Sequence, residues 1–107
     1  MLLNEVSALL GVIILDYITG ILVSIYEKKI NSTIGRNGIF KKFGIILCVM
    51  FSLYIDHFND LLGTPIAPVI ITFFIFNESF SILENLKKLN VPIPKFLSEI
   101  IDEKKNA

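Results

Sequence analysis

Three apolar segments of about twenty residues, each bounded by polar residues, dominate the sequence. They cover approximately residues 6–26, 39–58 and 65–84. A helix of about 20 apolar residues is long enough to cross the roughly 30 Å hydrocarbon core of a bilayer. Apolar residues make up 53% of the chain, more than the small interior of a soluble chain of 107 residues accommodates. The pattern therefore predicts a single all-α domain, residues 1–107, with three transmembrane helices.

Residues that interrupt helices separate the third segment from a short tail. Pro65 and Pro68 suit the first turn of a helix, where no amide donor is needed. The helical pattern continues past the third segment until Asn90 and the "VPIP" of 91–94, which stop it. Residues 95–105 predict a short amphipathic helix on the cytoplasmic side, lying on the membrane surface or in an oligomer contact. Its apolar positions are Phe96, Leu97, Ile100 and Ile101.

The remaining composition excludes several kinds of function. Ten basic and ten acidic residues cancel, so no overall basic field attracts nucleic acid. A single cysteine, Cys48, excludes an intrachain disulfide and a multi-cysteine metal site. The only histidine, His57, has no nucleophile beside it, and no catalytic or metal-binding motif is present. We expect a protein that is not an enzyme and that binds no metal or cofactor.

The charged residues between the apolar segments indicate orientation. The first connection, "EKKINSTIGRNGIFKK", is strongly basic, whereas the second contains Asp56 and Asp60 and no basic residue. Further lysines follow the third segment. Basic loops remain in the cytoplasm, so we expect the N-terminus to lie outside the cell and the C-terminus inside it. The residues assigned to the cytoplasmic basic loop are Lys28, Lys29, Arg36, Lys41 and Lys42.

An acidic residue, Asp16, lies near the middle of the first segment. A carboxylate at the centre of a membrane span costs about 2.5–3.5 kcal/mol on insertion scales, and such residues usually have a functional role. Thr19 and Gly20 share its helix face, at positions i+3 and i+4. This face is a candidate functional surface.

The other two segments each have a polar or small-residue stripe of their own. In the second segment the stripe recurs every four residues, at Gly44, Cys48, Ser52 and Asp56. In the third segment it lies in the C-terminal half, at Asn77, Glu78, Ser81, Glu84 and Asn85.

These stripes have two interpretations. They pack helices together, since small residues permit close approach and buried polar groups pair. Alternatively, they face water in an assembled pore. Packing is favoured for the stripe from Gly44 to Ser52 and a functional site for Asp16, whereas Asn77 and Glu78 fit either a site or the membrane interface. Three helices cannot both enclose a channel and shield every stripe, so we expect self-association into homo-oligomers, with membrane lipids as the other partner.

Two blocks of sequence resemble a known family. The run "DYITGILVSIYEKKINSTIGRNGIFKK" at 16–42 is similar to the first helix and basic loop of the toxin-secretion and phage-lysis holin family. The block "NESFSILENLKKLNVPIPKFL" at 77–97 is similar to that family's other characteristic segment. The positions that match the family pattern are Asp16, Thr19, Gly20, Gly35, Gly38, Lys42, Asn77, Glu78, Ser81, Glu84, Asn85, Pro92 and Pro94.

The resemblance implies a protein that oligomerises in the bacterial cytoplasmic membrane and opens lesions. The cargo it implies is an endolysin in phage lysis or a toxin beside a toxin locus. Two alternatives remain open. An antiholin or assembly partner would insert without permeabilising, and a small proton-coupled multidrug transporter would use Asp16 as its proton-binding carboxylate. Such transporters usually have four spans and an aromatic cage, whereas this chain has three predicted spans and no tryptophan.

Overall fold

The computed structural model describes residues 2–58 and 63–106, and within them the chain is helical without strands. Three of the helices are long and apolar enough to cross a membrane, and a short helix follows them. The predicted all-α fold with three long apolar helices and a short C-terminal helix is confirmed. The helices are α1 Leu2–Tyr26, α2 Ser32–His57, α3 Ala67–Lys88 and α4 Lys95–Asn106.

Helix α2 begins earlier than the sequence predicts. The second apolar segment was predicted from about residue 39, yet the helix starts at Ser32. The reason lies in Asn31, whose side-chain oxygen accepts a hydrogen bond from the backbone N–H of Thr33 at 2.9 Å. A side-chain acceptor at this position satisfies an amide that has no partner inside the helix, and so starts the helix there. Three residues assigned to the basic loop consequently lie within α2: Arg36, Lys41 and Lys42.

The three long helices run up, down and up. Helices α1 and α3 are parallel and make the most extensive contact, and α2 packs antiparallel against α3. Their contact is an apolar core in the half of the bundle that contains the start of α1, the end of α2 and the start of α3. The buried core residues are Leu9, Ile13, Ile45, Val49, Ala67 and Ile71.

The outer surface of the bundle is also apolar. Large aliphatic and aromatic side chains point away from the helix contacts along all three long helices. In water this exposed surface would favour aggregation, whereas in a bilayer it contacts acyl chains of similar polarity. Examples that are at least 47% exposed are Ile14, Leu22, Phe43, Leu47, Phe51, Phe73 and Phe76.

Both ends of α3 are fixed by other helices. The carboxylate of Asp56, near the end of α2, accepts hydrogen bonds from the backbone N–H groups of Ile66 and Ala67, both at 2.8 Å. At the other end Asn90 adopts a left-handed conformation (φ 65°), and its side chain donates to the Tyr26 hydroxyl at 2.9 Å. Asn90 thus ends α3, as the sequence predicted, and also ties it to the end of α1.

Helix α4 lies against the C-terminal end of α3. Ile101 is buried there, and Lys87 pairs with Asp102 at 3.0 Å. Phe96 and Ile100 remain exposed. The helix therefore has an apolar surface left over, as an amphipathic helix at a membrane surface requires.

The Asp56 contact predicts a measurable loss of stability. Replacing an acidic helix cap by alanine costs about 0.5–2 kcal/mol. We expect Asp56→Ala to lower the free energy of unfolding by that amount, measured by SDS titration in mixed micelles with circular dichroism. Asp56→Asn keeps one acceptor oxygen and should lose less. Equal stability of Asp56→Ala and the wild type would show that the contact does not hold α3.

Candidate functional site

An ionic cluster joins all three long helices at one level of the bundle. The Lys42 ammonium lies between two carboxylates, 2.7 Å from Asp16 Oδ2 and 3.2 Å from Glu78 Oε2. All three side chains are largely buried, with 17% of Lys42, 13% of Asp16 and 4% of Glu78 exposed. Each helix contributes one charged residue, so the cluster cross-links the bundle.

Two uncharged residues extend this cluster on one side. The amide nitrogen of Asn85 donates to Asp16 Oδ1 at 3.3 Å and to the Thr19 hydroxyl at 2.9 Å. The Thr19 hydroxyl in turn donates to the backbone carbonyl of Leu15 at 2.8 Å. Asp16 therefore has a charged partner on α2 and a neutral donor on α3. We call Asp16, Thr19, Lys42, Glu78 and Asn85 the polar cluster.

Regular spacing brings these residues together. On α3, Ile71, Glu78 and Asn85 are seven residues apart, so they follow one face of the helix. Leu9 and Asp16 on α1 have the same spacing. The polar cluster is therefore the continuation of the apolar core along the same contact faces, with polar residues in place of aliphatic ones.

Burial makes the pairing within the cluster essential. A charge moved out of water loses several kcal/mol of solvation, which a well-placed partner offsets. In a membrane span an unpaired Asp16 carboxylate would have no charged partner and little water around it. Asp16 has its partners within the same chain, namely Lys42 on α2 and Asn85 on α3.

The predicted stripe on α2 divides into residues with different environments. Ser52 is fully buried and its hydroxyl donates to the Val49 carbonyl at 2.7 Å. Cys48 is half-buried, and Asp56 caps α3. Gly44 is exposed, and a Cβ built on it would meet no atom within 4 Å. Within one chain Gly44 therefore makes no close helix contact.

The remaining predicted residues lie around the polar cluster or at the basic end of the bundle. Gly20 is half-buried, and a Cβ there would lie 3.8 Å from the Asn85 amide nitrogen. Asn77, Ser81 and Glu84 are half-buried on α3. The basic residues other than Lys42 are exposed, namely Lys28, Lys29, Arg36 and Lys41.

Lys42 is the residue whose role the sequence reasoning missed. It was assigned to a solvated basic loop together with Lys41, although the structure exposes Lys41 and buries Lys42. The sequence of α2 has no clear signal for this difference, because apolar residues occur on several faces of the helix. Both lysines precede Ile45 and Val49 at helical spacings, and only the packing of the helices shows which of the two is buried.

The polar cluster has no arrangement typical of an enzyme. It contains two carboxylates neutralised in part by one ammonium, with no cysteine or histidine. Among residues 2–58 and 63–106, no group of three or more histidine, cysteine or acidic side chains is arranged to hold a metal ion. The arrangement can hold three helices in register, and the helices can separate if the ion pairs break.

Comparison with known proteins agrees with these features. The model of the bacteriophage holin family matches residues 3–106. The chain belongs to this family. The resemblance noted in the sequence is therefore confirmed, and the three apolar helices make this holin-family chain a multi-pass protein of the cytoplasmic membrane.

The chain is also similar to individual proteins, two of which have holin names. The holin-like protein TcdE of Clostridioides difficile is 32% identical, with 80% of this chain and 61% of TcdE covered. The probable holin of Bacillus phage phi105 is 33% identical, with 80% and 63% covered. An uncharacterized protein of Clostridium perfringens strain 13 is 37% identical, with 94% and 75% covered. No solved structure matches the chain.

The polar cluster predicts that Lys42 and Lys41 respond very differently to substitution. Removing one partner of a buried ion pair typically costs about 3–5 kcal/mol, because the other charge is left unpaired. We expect Lys42→Ala to lower the free energy of unfolding in mixed micelles by about this amount. Lys41→Ala removes the same charge from an exposed position and should change it by less than about 0.5 kcal/mol.

A compensated variant separates electrostatics from packing. Lys42→Met combined with Asp16→Asn and Glu78→Gln removes all three charges and keeps the side chains close in size. We expect it to regain most of the stability lost in Lys42→Ala. If Lys42→Ala were no less stable than Lys41→Ala, the ion pairs would not hold the bundle together.

Proposed function

We propose that this holin-family protein accumulates in the bacterial cytoplasmic membrane, self-associates and opens lesions that release a cytoplasmic cargo. The cargo is an endolysin in phage lysis or a toxin in toxin secretion. The activity requires no chemical catalysis, cofactor or metal. The observation that supports it best is a cluster of buried charges at the contact of three helices whose outer surfaces are apolar.

The outer surface of a single copy is suited to contact with lipid and not to lining a water-filled lesion. Its outer surface is apolar, and Asp16 and Glu78 are paired with Lys42 inside the bundle. If the helices separate, these charges need water or partners from neighbouring copies, because hydrocarbon does not solvate carboxylate or ammonium groups. We propose that assembly exchanges the pairing within one chain for a surface that faces water in the lesion.

The exposed small residue Gly44 fits the same proposal. It lies on the outside of α2, where a Cβ would meet no atom of its own chain within 4 Å. Small residues let helices of neighbouring copies approach closely in a membrane. Gly44, with the half-buried Cys48 one turn later, is therefore our candidate for part of the contact between copies.

Two alternatives differ from this proposal in what they do to the membrane. An antiholin or assembly partner has the same fold and inserts without opening lesions. A proton-coupled transporter would use Asp16 for protons, yet here Asp16 is paired with Lys42 at 2.7 Å and with Asn85. A transport site that must load and release protons is not favoured by a carboxylate with an ammonium in direct contact.

Inducible expression in a bacterium distinguishes the three functions. We expect abrupt growth arrest and loss of membrane potential, measured with a potential-sensitive dye, and lysis when an endolysin is co-expressed. A transporter would give drug resistance without depolarisation, and an antiholin would give neither effect. Normal growth and potential at high membrane levels of the protein would refute the proposal.

Asp16→Leu provides the matched variant in the same assay. It leaves Lys42 with only one carboxylate partner and removes a charge that we place at the water-facing surface of the lesion. We expect depolarisation to be lost or strongly delayed and the cross-linked oligomer size to change. Glu99→Leu removes an exposed carboxylate from α4 and should behave like the wild type. Unchanged oligomers and depolarisation in Asp16→Leu would contradict a role for this site.

We also propose that the N-terminus lies outside the cell and the C-terminus inside. Basic residues gather at the end of the bundle that contains the α1–α2 connection and the end of α3. Examples on the exposed surface there are Lys28, Lys29, Arg36, Lys87 and Lys88. Positive charges near the ends of spans stay in the cytoplasm, which places Thr64 on the outer side.

Single cysteines test this orientation in a Cys48→Ala background. A membrane-impermeant maleimide applied to intact, polarised cells should label Thr64→Cys and leave Glu27→Cys unlabelled. Both positions are exposed in the structure, so access depends on the side of the membrane. After the membrane is permeabilised, both should react. Labelling of Glu27→Cys alone in intact cells would reverse the assignment.

A further inference from the structure

A cavity of about 610 Å³ lies between α1 and α2 at the basic end of the bundle. It extends from the connection at Lys29 and Asn31 down to Asp16, and Asn85 of α3 also lines it. Helices α1 and α2 make much less contact with each other than either makes with α3, which leaves this space open. Its size is within the roughly 300–1,000 Å³ range of sites that bind small molecules.

The cavity wall combines apolar and basic side chains. Ile21, Ile25 and Ile39 supply an apolar surface from both helices. Lys29 and Arg36 line the end nearest the connection and are exposed. Lys42 and Asp16 also line the cavity, but they neutralise each other at 2.7 Å. The remaining charge at the mouth is therefore positive.

Two glycines keep the α2 side of the cavity open. Gly35 and Gly38 are one turn apart and both line the cavity. A Cβ built on either would meet no atom within 4 Å, so larger side chains at these positions would point into free space. An elongated apolar group can therefore lie against α2 at this point.

We propose that this cavity, which we call the α1–α2 groove, binds one anionic phospholipid of the surrounding leaflet. Its phosphate lies between Lys29 and Arg36, and an acyl chain lies against Ile21, Ile25 and Ile39. Basic pockets between transmembrane helices recognise acidic lipid headgroups by this combination of charge and apolar surface. Arg36 provides a planar fork of donors that matches a phosphate. The site does not depend on lesion formation and occurs in a single copy.

A second copy of the chain fits the groove less well. In a symmetric contact the groove of each copy would face the groove of the other, so Lys29 and Arg36 of both copies would lie in one interface. Like charges facing each other disfavour that contact. An anionic headgroup would neutralise these basic residues instead, and the surrounding membrane leaflet supplies lipids next to the groove.

The test measures lipid binding to the purified full-length protein in neutral detergent by native mass spectrometry. Phosphatidylglycerol and phosphatidylcholine with the same acyl chains are titrated separately. Because each basic residue near a membrane surface contributes roughly fivefold, two of them predict a preference of roughly 30-fold for phosphatidylglycerol. Millimolar inorganic phosphate should not displace the lipid, since it lacks the acyl chains.

Charge-matched variants locate the preference. Lys29→Glu with Arg36→Glu should abolish it, whereas Lys28→Glu with Lys41→Glu makes the same charge change at exposed positions outside the groove and should retain most of it. Circular dichroism checks that both remain helical. If the first pair does not fold, Lys29→Gln with Arg36→Gln replaces it and should still lower the preference.

A groove-filling variant tests the position of the acyl chain. Gly38→Leu keeps every charge and should weaken phosphatidylglycerol binding at least tenfold. Gly11→Leu is the control, since Gly11 is exposed on α1 and does not line the groove. Equal binding of both lipids by the wild type would overturn the proposal. An equal loss in both charge variants, or unchanged binding in Gly38→Leu, would do the same.

Discussion

The contact on which this structure depends is the ammonium of Lys42 between the carboxylates of Asp16 and Glu78. Hydrophobic association does little to hold helices together in a membrane, because lipid tails are as apolar as the helix surfaces. Packing and polar contacts must then decide which helix faces meet. The ion pairs act on all three long helices at once, and Asn85 and Thr19 fix the rotation of α3 against α1.

The cluster also explains how a carboxylate in the middle of a membrane span is tolerated. Asp16 has partners within its own chain, since Lys42 of α2 and Asn85 of α3 donate to its carboxylate. The same three charges would be costly in lipid if the helices separated. Separated from one another in hydrocarbon, the three charges would need water or new partners, which is the basis of the proposed role of the cluster in a lesion. The family to which the chain belongs is consistent with that use.

The rest of the molecule has one region where the helices pack closely and one region that is open to lipid. The core near Leu9 and Ile71 packs α1 on α3 and is closed to lipid. At the opposite end of the bundle α1 and α2 leave a groove with basic residues at its mouth. Asp56 and Asn90 fix the two ends of α3, so the groove and the polar cluster are held by a well-anchored helix. The chain thus combines one closely packed helix pair, α1 and α3, with one open pair, α1 and α2.

The sequence by itself determined the three apolar helices, the end of α3 at Asn90 and the amphipathic α4, because apolar length and helix-stopping residues are local signals. It also pointed to Asp16, Thr19, Glu78 and Asn85 as polar residues on helix faces. Only the tertiary structure decided that Lys42 joins them and that Gly44 is left outside. The physical reason is rotation: which face of α2 is buried depends on how Ile45 and Val49 pack against α3, and α2 alone does not fix that choice.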